Sequence, residues 1–254
     1  MIDGHVHLEN GELSVEYCMQ FVKEAQKKGI TKLHILDHTH RFQEFSFMYD
    51  KLKEITQQKI WLQNKLKDSL LTYLGLIEEM KKKDLPIEVC FGLEVCYTPQ
   101  DKMFLKKFLQ NYSFDFLVGS IHSIDGKLYD MPFSKEILWE REDIDTIYQR
   151  YFKIMEDMID SNLFTQIGHP DQLKLFHYAP SYNLLPTYTR IAKAAKEHEV
   201  FMENNTGIHY RYGHEDIGTN EQFLSILRNE GVKIITASDA HFPSDVGRCF
   251  EMIK

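Results

Sequence analysis

The sequence predicts an α/β fold closed into a TIM-like barrel, with its chemistry gathered at one mouth. Two patterns predict it. Seven short, β-branched apolar runs alternate with longer helical periodicities, the arrangement of a parallel sheet with crossover helices. Six of the segments that follow those runs deliver histidines or carboxylates, and in parallel barrels the functional groups project from the C-terminal ends of the strands.

Taken in order, residues 1–7 read as a strand ending in His5-Val6-His7. Alternate strand side chains share a face, so the two imidazoles lie about 7 Å apart and can reach a single ion. A helical pattern covers residues 14–28 and stops at Gly29. The second strand, residues 32–37, runs into Asp37-His38-Thr39-His40. Residues 47–83 are helix-rich and longer than a crossover needs, which predicts a helical insertion acting as a lid. Residues 87–94 form a third strand ending Gly92-Leu93-Glu94, where the glycine permits close backbone approach. A helix over 100–111 leads to a strand over 114–122 that ends Gly119-Ser120-Ile121-His122, and a helix over 143–161 leads to a strand over 164–168 that enters Gly168-His169-Pro170-Asp171. Helices over 184–198 and 220–230 flank the strand at 200–203. Gly213 and Gly231 mark stops, and the last strand, 232–237, delivers Ser238-Asp239-Ala240-His241.

Each ending has an ordinary reading when it stands alone: a His-x-His pair as surface or core histidines, Glu94 as a paired glutamate. Together they do not. Burying so many titratable groups at one mouth costs several kcal/mol per uncompensated charge, and divalent cations remove that cost. The mixed nitrogen and oxygen donors suit Zn, Mn or Fe, two or three ions in all. Asp37 and Asp171, adjacent to candidate ligands, are expected to orient imidazoles.

Composition bounds the alternatives. At 254 residues and 43% apolar content, the chain fits one barrel domain over residues 1–254. A net charge of −8 with scattered Lys and Arg offers no basic stripe for nucleic acid and argues against a membrane-surface role. No export signal or membrane-length apolar run is visible, and Cys18, Cys90, Cys96 and Cys249 form neither a CxxC pair nor a zinc-finger spacing. A cytoplasmic protein with reduced thiols is expected.

The segments named above, in this order, resemble the PHP (polymerase and histidinol phosphatase) superfamily, with wording closest to its histidinol-phosphatase branch. The likeness extends to residues 92–99 (GLEVCYTP), 112–126 (YSFDFLVGSIHSIDG), 167–171 (IGHPD) and 203–207 (ENNTG). The resemblance implies a distorted (β/α)7 barrel with up to three metal ions at the C-terminal ends of its strands. By family pattern His5, His7, Glu94 and Asp239 hold one ion, Glu94 bridges to a second held by His122 and His169, and His38 and His241 help hold a third. Many members place a further His shortly after the His-x-His pair. Here residues 8–13 (LENGEL) contain none, so Glu9 or Glu12 substitutes, or the third ion is weak or absent. Glu9 is favoured because it continues the face of His5 and His7.

These residues imply hydrolysis of a small phosphorylated substrate, histidinol phosphate by resemblance, through a metal-bridging hydroxide attacking phosphorus in line. Asp239 and His241 are the candidate catalytic proton carriers. Arg211, then Arg41, and His40 are the candidate substrate ligands, since phosphate favours a guanidinium. Other PHP phosphoesterases, acting on phosphotyrosine or nucleotides, are the alternative. A non-catalytic metal-binding module is a second class, to which the missing histidine lends footing.

Overall fold

A computed structural model describes residues 1–253. Its strands are β1 (Ile2–His7), β2 (Lys32–Leu36), β3 (Glu88–Cys96), β4 (Phe116–Ser120), β5 (Ser123–Ile124), β6 (Lys127–Leu128), β7 (Gln166–Ile167), β8 (Phe201–Asn205) and β9 (Ile234–Ala237). Its α-helices are α1 (Val15–Lys27), α2 (Thr56–Leu62), α3 (Leu70–Lys81), α4 (Lys102–Leu109), α5 (Ile144–Asp160), α6 (Leu185–Glu197), α7 (Gly207–Tyr212) and α8 (Glu221–Asn229).

Seven strands lie in the order β1-β2-β3-β4-β7-β8-β9, every pair parallel. The sheet nearly closes on itself. His7 donates its backbone N–H to the Ala240 carbonyl at 2.7 Å, and Asp3 accepts from the Ser238 N–H at 2.9 Å, so side chain and backbone bridge the seam between β1 and β9. Asp3 also takes the Ser238 hydroxyl and the Gly247 N–H, which lets a carboxylate sit fully buried in a strand. The seven expected strands are thus all present, and the barrel is the distorted TIM-like form.

The helices form where local chemistry starts them and burial completes them. Ser14 caps α1 through the Tyr17 N–H, Asp143 caps α5 through Thr146, and Asn220 caps α8 through Gln222 and Phe223. Each then buries one apolar face; on α5 it is Ile147, Tyr148, Tyr151, Phe152, Met155, Met158 and Ile159. The helix-rich stretch predicted at 47–83 divides in two. α3 is the crossover proper, burying Leu70, Tyr73, Leu76, Ile77 and Met80. The remainder, a 3₁₀ segment over Gln43–Glu54 followed by α2, sends Met48, Tyr49, Leu52 and Trp61 to the wall of a pocket over the barrel mouth. The short hairpin of β5 and β6 turns at Asp125-Gly126, both at positive φ. An Asp-Gly pair is a strong hairpin signal that the strand-by-strand reading passed over.

Gly92 shows how tightly the sheet is built. A Cβ placed there would lie 2.7 Å from the Phe116 carbonyl oxygen and 2.6 Å from its ring. Backbone cannot yield as a flexible side chain can, so Gly92→Ala is expected to cost about 1–3 kcal/mol, read as a fall in melting temperature. An unshifted melting curve would contradict the close approach of β3 and β4.

Candidate metal centre at the barrel mouth

The site is organised around Glu94, near the end of β3 and fully buried. One carboxylate oxygen, Oε1, lies 3.1 Å from His122 Nε2 and 3.0 Å from His169 Nε2. The other, Oε2, lies 3.4 Å from both His5 Nε2 and His7 Nε2. Asp239 Oδ1 completes that second group at 3.2 Å from His7 Nε2 and 3.8 Å from His5 Nε2. His38 Nδ1 approaches Glu94 Oε2 to 2.6 Å, yet the pair is misaligned for a hydrogen bond and both atoms are left without a partner. Strand alternation puts His5 and His7 on one face of β1, as expected. Glu94 reaches them because β2, between β1 and β3, holds both in register.

These spacings fit cations. Two ligand atoms each about 2.1 Å from one ion in tetrahedral coordination are about 3.4 Å apart. Most separations in the His5, His7, Glu94 and Asp239 group fall close to that edge length, too long for good hydrogen bonds between neutral rings and carboxylates. Unpartnered buried atoms, His7 Nδ1, His38 Nδ1, Glu94 Oε2 and His169 Nδ1 among them, cluster here. Buried polar atoms without partners are costly, so the donor set and the orphans both fit divalent ions.

Imidazole ionisation follows the same layout. Burial pushes His38 down to about 3 against the opposing pull of Glu94, and burial lowers His7 as well, helped by neighbouring His38. Both are neutral at pH 7, as a nitrogen ligand must be. His241 is moved the other way: burial and Arg211 press it down, but hydrogen bonds to Asp239 and Glu9 raise it. The rings of His241, His7, His38 and His40 stack in a column at centroid distances of 4.3, 4.1 and 4.3 Å.

Two mouth residues carry backbone strain. His169 has φ of +28° and Asp239 of +56°, conformations that non-glycine residues adopt at a cost of about 1–3 kcal/mol. The strain falls at two candidate donor positions whose side chains point into the mouth.

The remaining expected residues are placed as follows. Glu9 lies between imidazoles, 3.3 Å from His241 Nδ1 and 3.5 Å from both His38 Nε2 and His40 Nε2, whereas Glu12 is exposed. His241 Nε2 is 3.3 Å from Asp239 Oδ1. Arg211 lines the pocket and donates to Asp239 Oδ2 at 2.9 Å. Arg41 is a correction. It is 4% exposed, donates to Asp37, Asp68 and the carbonyls of Leu8 and Gly11, and has no face on the pocket. Its guanidinium ties the loop after β1 to the loop after β2. Asp37 and Asp171 are corrected too. Asp37 receives the His38 backbone N–H and Arg41, and Asp171 receives the Asn220 N–H and Lys174; neither touches a ring.

The partners that do orient the rings come from elsewhere. Glu203, on β8, holds His5 Nδ1 at 2.6 Å and the His169 N–H at 2.9 Å, and is itself fixed by Gln166 and Asn205. Asp130 holds His122 Nδ1 at 2.8 Å. Proximity in sequence favoured Asp37 and Asp171, but ring partners are chosen by distance across the barrel. The buried acid in the ENNTG segment was the available signal.

Several known proteins resemble this one. Residues 3–207 match the PHP domain model. A Deinococcus radiodurans protein named "Probable histidinol-phosphatase" is 28% identical over 164 residues, which span 63% of this chain and 60% of that protein. A Schizosaccharomyces pombe protein of the same name is 23% identical over 278 residues, spanning 100% of this chain and 84% of that one. The crystal structure of a Lactococcus lactis histidinol phosphate phosphatase, complexed with zinc, L-histidinol and phosphate, has a TM-score of 0.63 at 19% identity, covering 99% of this chain and 92% of that one.

If Glu203 fixes His5, Glu203→Gln should weaken zinc binding by about 10- to 100-fold with the fold retained, measured by competition with a chromophoric chelator. Unchanged affinity would show that the contact does not tune the site.

Proposed function

The chain belongs to the PHP domain family, and from that premise we propose that its barrel mouth hydrolyses a small phosphate monoester, with L-histidinol phosphate the first candidate. One observation carries the reading. Glu94 presents its two oxygens to separate imidazole groups, His5 and His7 at 3.4 Å and His122 and His169 at hydrogen-bonding distance, and the cluster opens onto a pocket that Arg211 lines. The names of the Deinococcus and fission-yeast relatives and the ligands of the Lactococcus enzyme support the choice of substrate.

His5, His7, Glu94 and Asp239 would hold one divalent ion and Glu94, His122 and His169 a second; ions there supply Lewis acidity for phosphoryl oxygens and acidify water. The chain's own residues do the rest. Arg211 presents a guanidinium to the pocket for the oxygens of the monoester, charge-assisted donors that strengthen as negative charge develops on them. Burial raises Asp239, but Arg211 and the hydrogen bonds from His241 and His7 outweigh it and hold the carboxyl well below its ordinary range. An ionised Asp239 suits a ligand and a proton acceptor, not an acid. His241, whose Nε2 faces Asp239 and whose charged form Glu9 and Asp239 favour, carries the proton to the departing alkoxide. Met48, Tyr49, Leu52, Trp61, Leu128 and Met131 give the opposite wall its apolar character and exclude water around the leaving group.

Zinc- or manganese-loaded protein should release inorganic phosphate from L-histidinol phosphate and leave a phosphodiester intact, and Glu94→Gln should abolish turnover. Retained turnover in that variant, or activity toward the diester alone, counts against the proposal. Arg211→Ala should raise KM by about 10- to 100-fold, the loss of a charge-assisted bond, with the smaller effect on kcat.

A further inference from the structure

We propose that Gln58 is a positioning residue that joins the two halves of the pocket's apolar wall and so sets which leaving groups the site accepts. This rests on the reading of the mouth as a monoesterase, and it concerns the side of the pocket away from the metal donors.

The wall has two sources. Met48, Tyr49, Leu52 and Trp61 come from the insertion between β2 and α3, and Leu128 comes from the hairpin of β5 and β6. The insertion is closed at its base, where the Leu66 N–H donates to the His40 carbonyl at 2.7 Å and the Gln43 N–H to the Asp68 carbonyl at 3.0 Å. The chain therefore leaves the barrel and returns to the same place, and its far edge needs a hold of its own. The hairpin is anchored on its other side by ion pairs, Asp125 with Arg150 at 3.0 Å and Lys127 with Glu142 at 2.5 Å.

Gln58 supplies the missing hold. α2 buries two residues, Gln58 and Leu62, and Gln58 has no exposure to solvent. Glutamine is mostly an exposed residue, and this one is buried with three partners. Its Nε2 donates to the Leu52 carbonyl at 3.3 Å and to the Gly126 carbonyl at 2.9 Å, and its Oε1 accepts the Leu128 N–H at 2.6 Å. Both amide hydrogens and one oxygen lone pair are thereby used. Two of those backbone groups belong to Leu52 and Leu128, wall residues on either side of the junction. Packing agrees, since a Cβ at Gly126 would lie 3.1 Å from the Lys51 Cβ. Gln58→Met would fill the same space but leave two carbonyls and an N–H unpaired. The hydrogen bonds, not the burial, account for the glutamine.

The consequence is selective. The phosphoryl group belongs with the metal donors and Arg211, and the wall meets only what the alcohol carries beyond its oxygen. A slack wall therefore weakens a bulky leaving group and spares a small one.

Kinetics on two esters test this. Ethanolamine phosphate is L-histidinol phosphate without its imidazolylmethyl group, and is too short to reach the wall from the metal donors. In zinc-loaded protein, Gln58→Met should raise KM for L-histidinol phosphate by about 10-fold with the smaller effect on kcat. Its kcat/KM for ethanolamine phosphate should stay within about two-fold of wild type. Gln58→Glu, which keeps the acceptor for Leu128 and loses both donors, should shift selectivity the same way, so the result does not hang on one variant folding. Amide hydrogen exchange at Leu128 should quicken in both variants while β3 stays protected. Equal losses on the two esters, no loss on either, or unchanged exchange at Leu128 overturns this inference and leaves the proposed function standing. Wild-type protein that releases phosphate from neither ester overturns both.

Discussion

A carboxylate with no exposure to water governs the architecture of this mouth. Glu94 is buried beside His5, His7, His38, His122 and His169, and neither of its oxygens has a backbone donor. An isolated buried charge costs several kcal/mol even after relaxation. Burial lowers His5 and His122, but their carboxylate neighbours outweigh it and raise both, which meets part of that cost; the stacked rings of His7, His38, His40 and His241 cannot all be charged, because they would repel along the column. With Glu9 and Asp239 also at the mouth, the arrangement fits cations between the donors. The strained backbone at His169 and Asp239 and the network under Glu203 then follow as the means of aiming donors at those points.

Around that centre the barrel separates structure from chemistry. Asp3, Asp37 and Arg41 are as buried as the donors, yet each is satisfied by backbone groups or by one another, and each ties a strand or loop at the seam. Among the donors, His7, His38, Glu94 and His169 each leave a buried atom without a partner, whereas Asp3, Asp37 and Arg41 do not. Arg211 keeps a face on the pocket together with Lys51 and Lys65, and its planar guanidinium is the candidate for an incoming phosphate, while Lys174 and Arg41 are engaged elsewhere.

Much of this was legible in the chain. The alternation of β-branched runs and helical periodicities placed all seven barrel strands, because a parallel strand buried on both faces is a continuous apolar run. Its endings singled out His5, His7, Glu94, His122, His169 and Asp239, which meet at one mouth because strand ends in a barrel converge whatever their order. What the chain hid was lateral distance. Asp37 and Asp171 sit beside donors in sequence but turn to backbone N–H groups and cations, while Glu203 and Asp130, far away in sequence or past a hairpin, hold the rings. Arg41 looked like a phosphate ligand for the same reason: its place after His40 said nothing of the Asp37 and Asp68 carboxylates waiting beside it. His40, read as a substrate contact, lines the pocket with its Nε2 3.5 Å from Glu9 Oε2.

The central claim is that cations hold the mouth together, and thermal melting of chelator-stripped protein with and without added zinc tests it directly. Saturating zinc at about 1,000 times its Kd should stabilise the fold by about 4 kcal/mol per linked site, seen as a large rise in melting temperature. Stripped protein that melts at the same temperature as zinc-loaded protein would show that the buried carboxylates are satisfied without metal, and the account would be wrong.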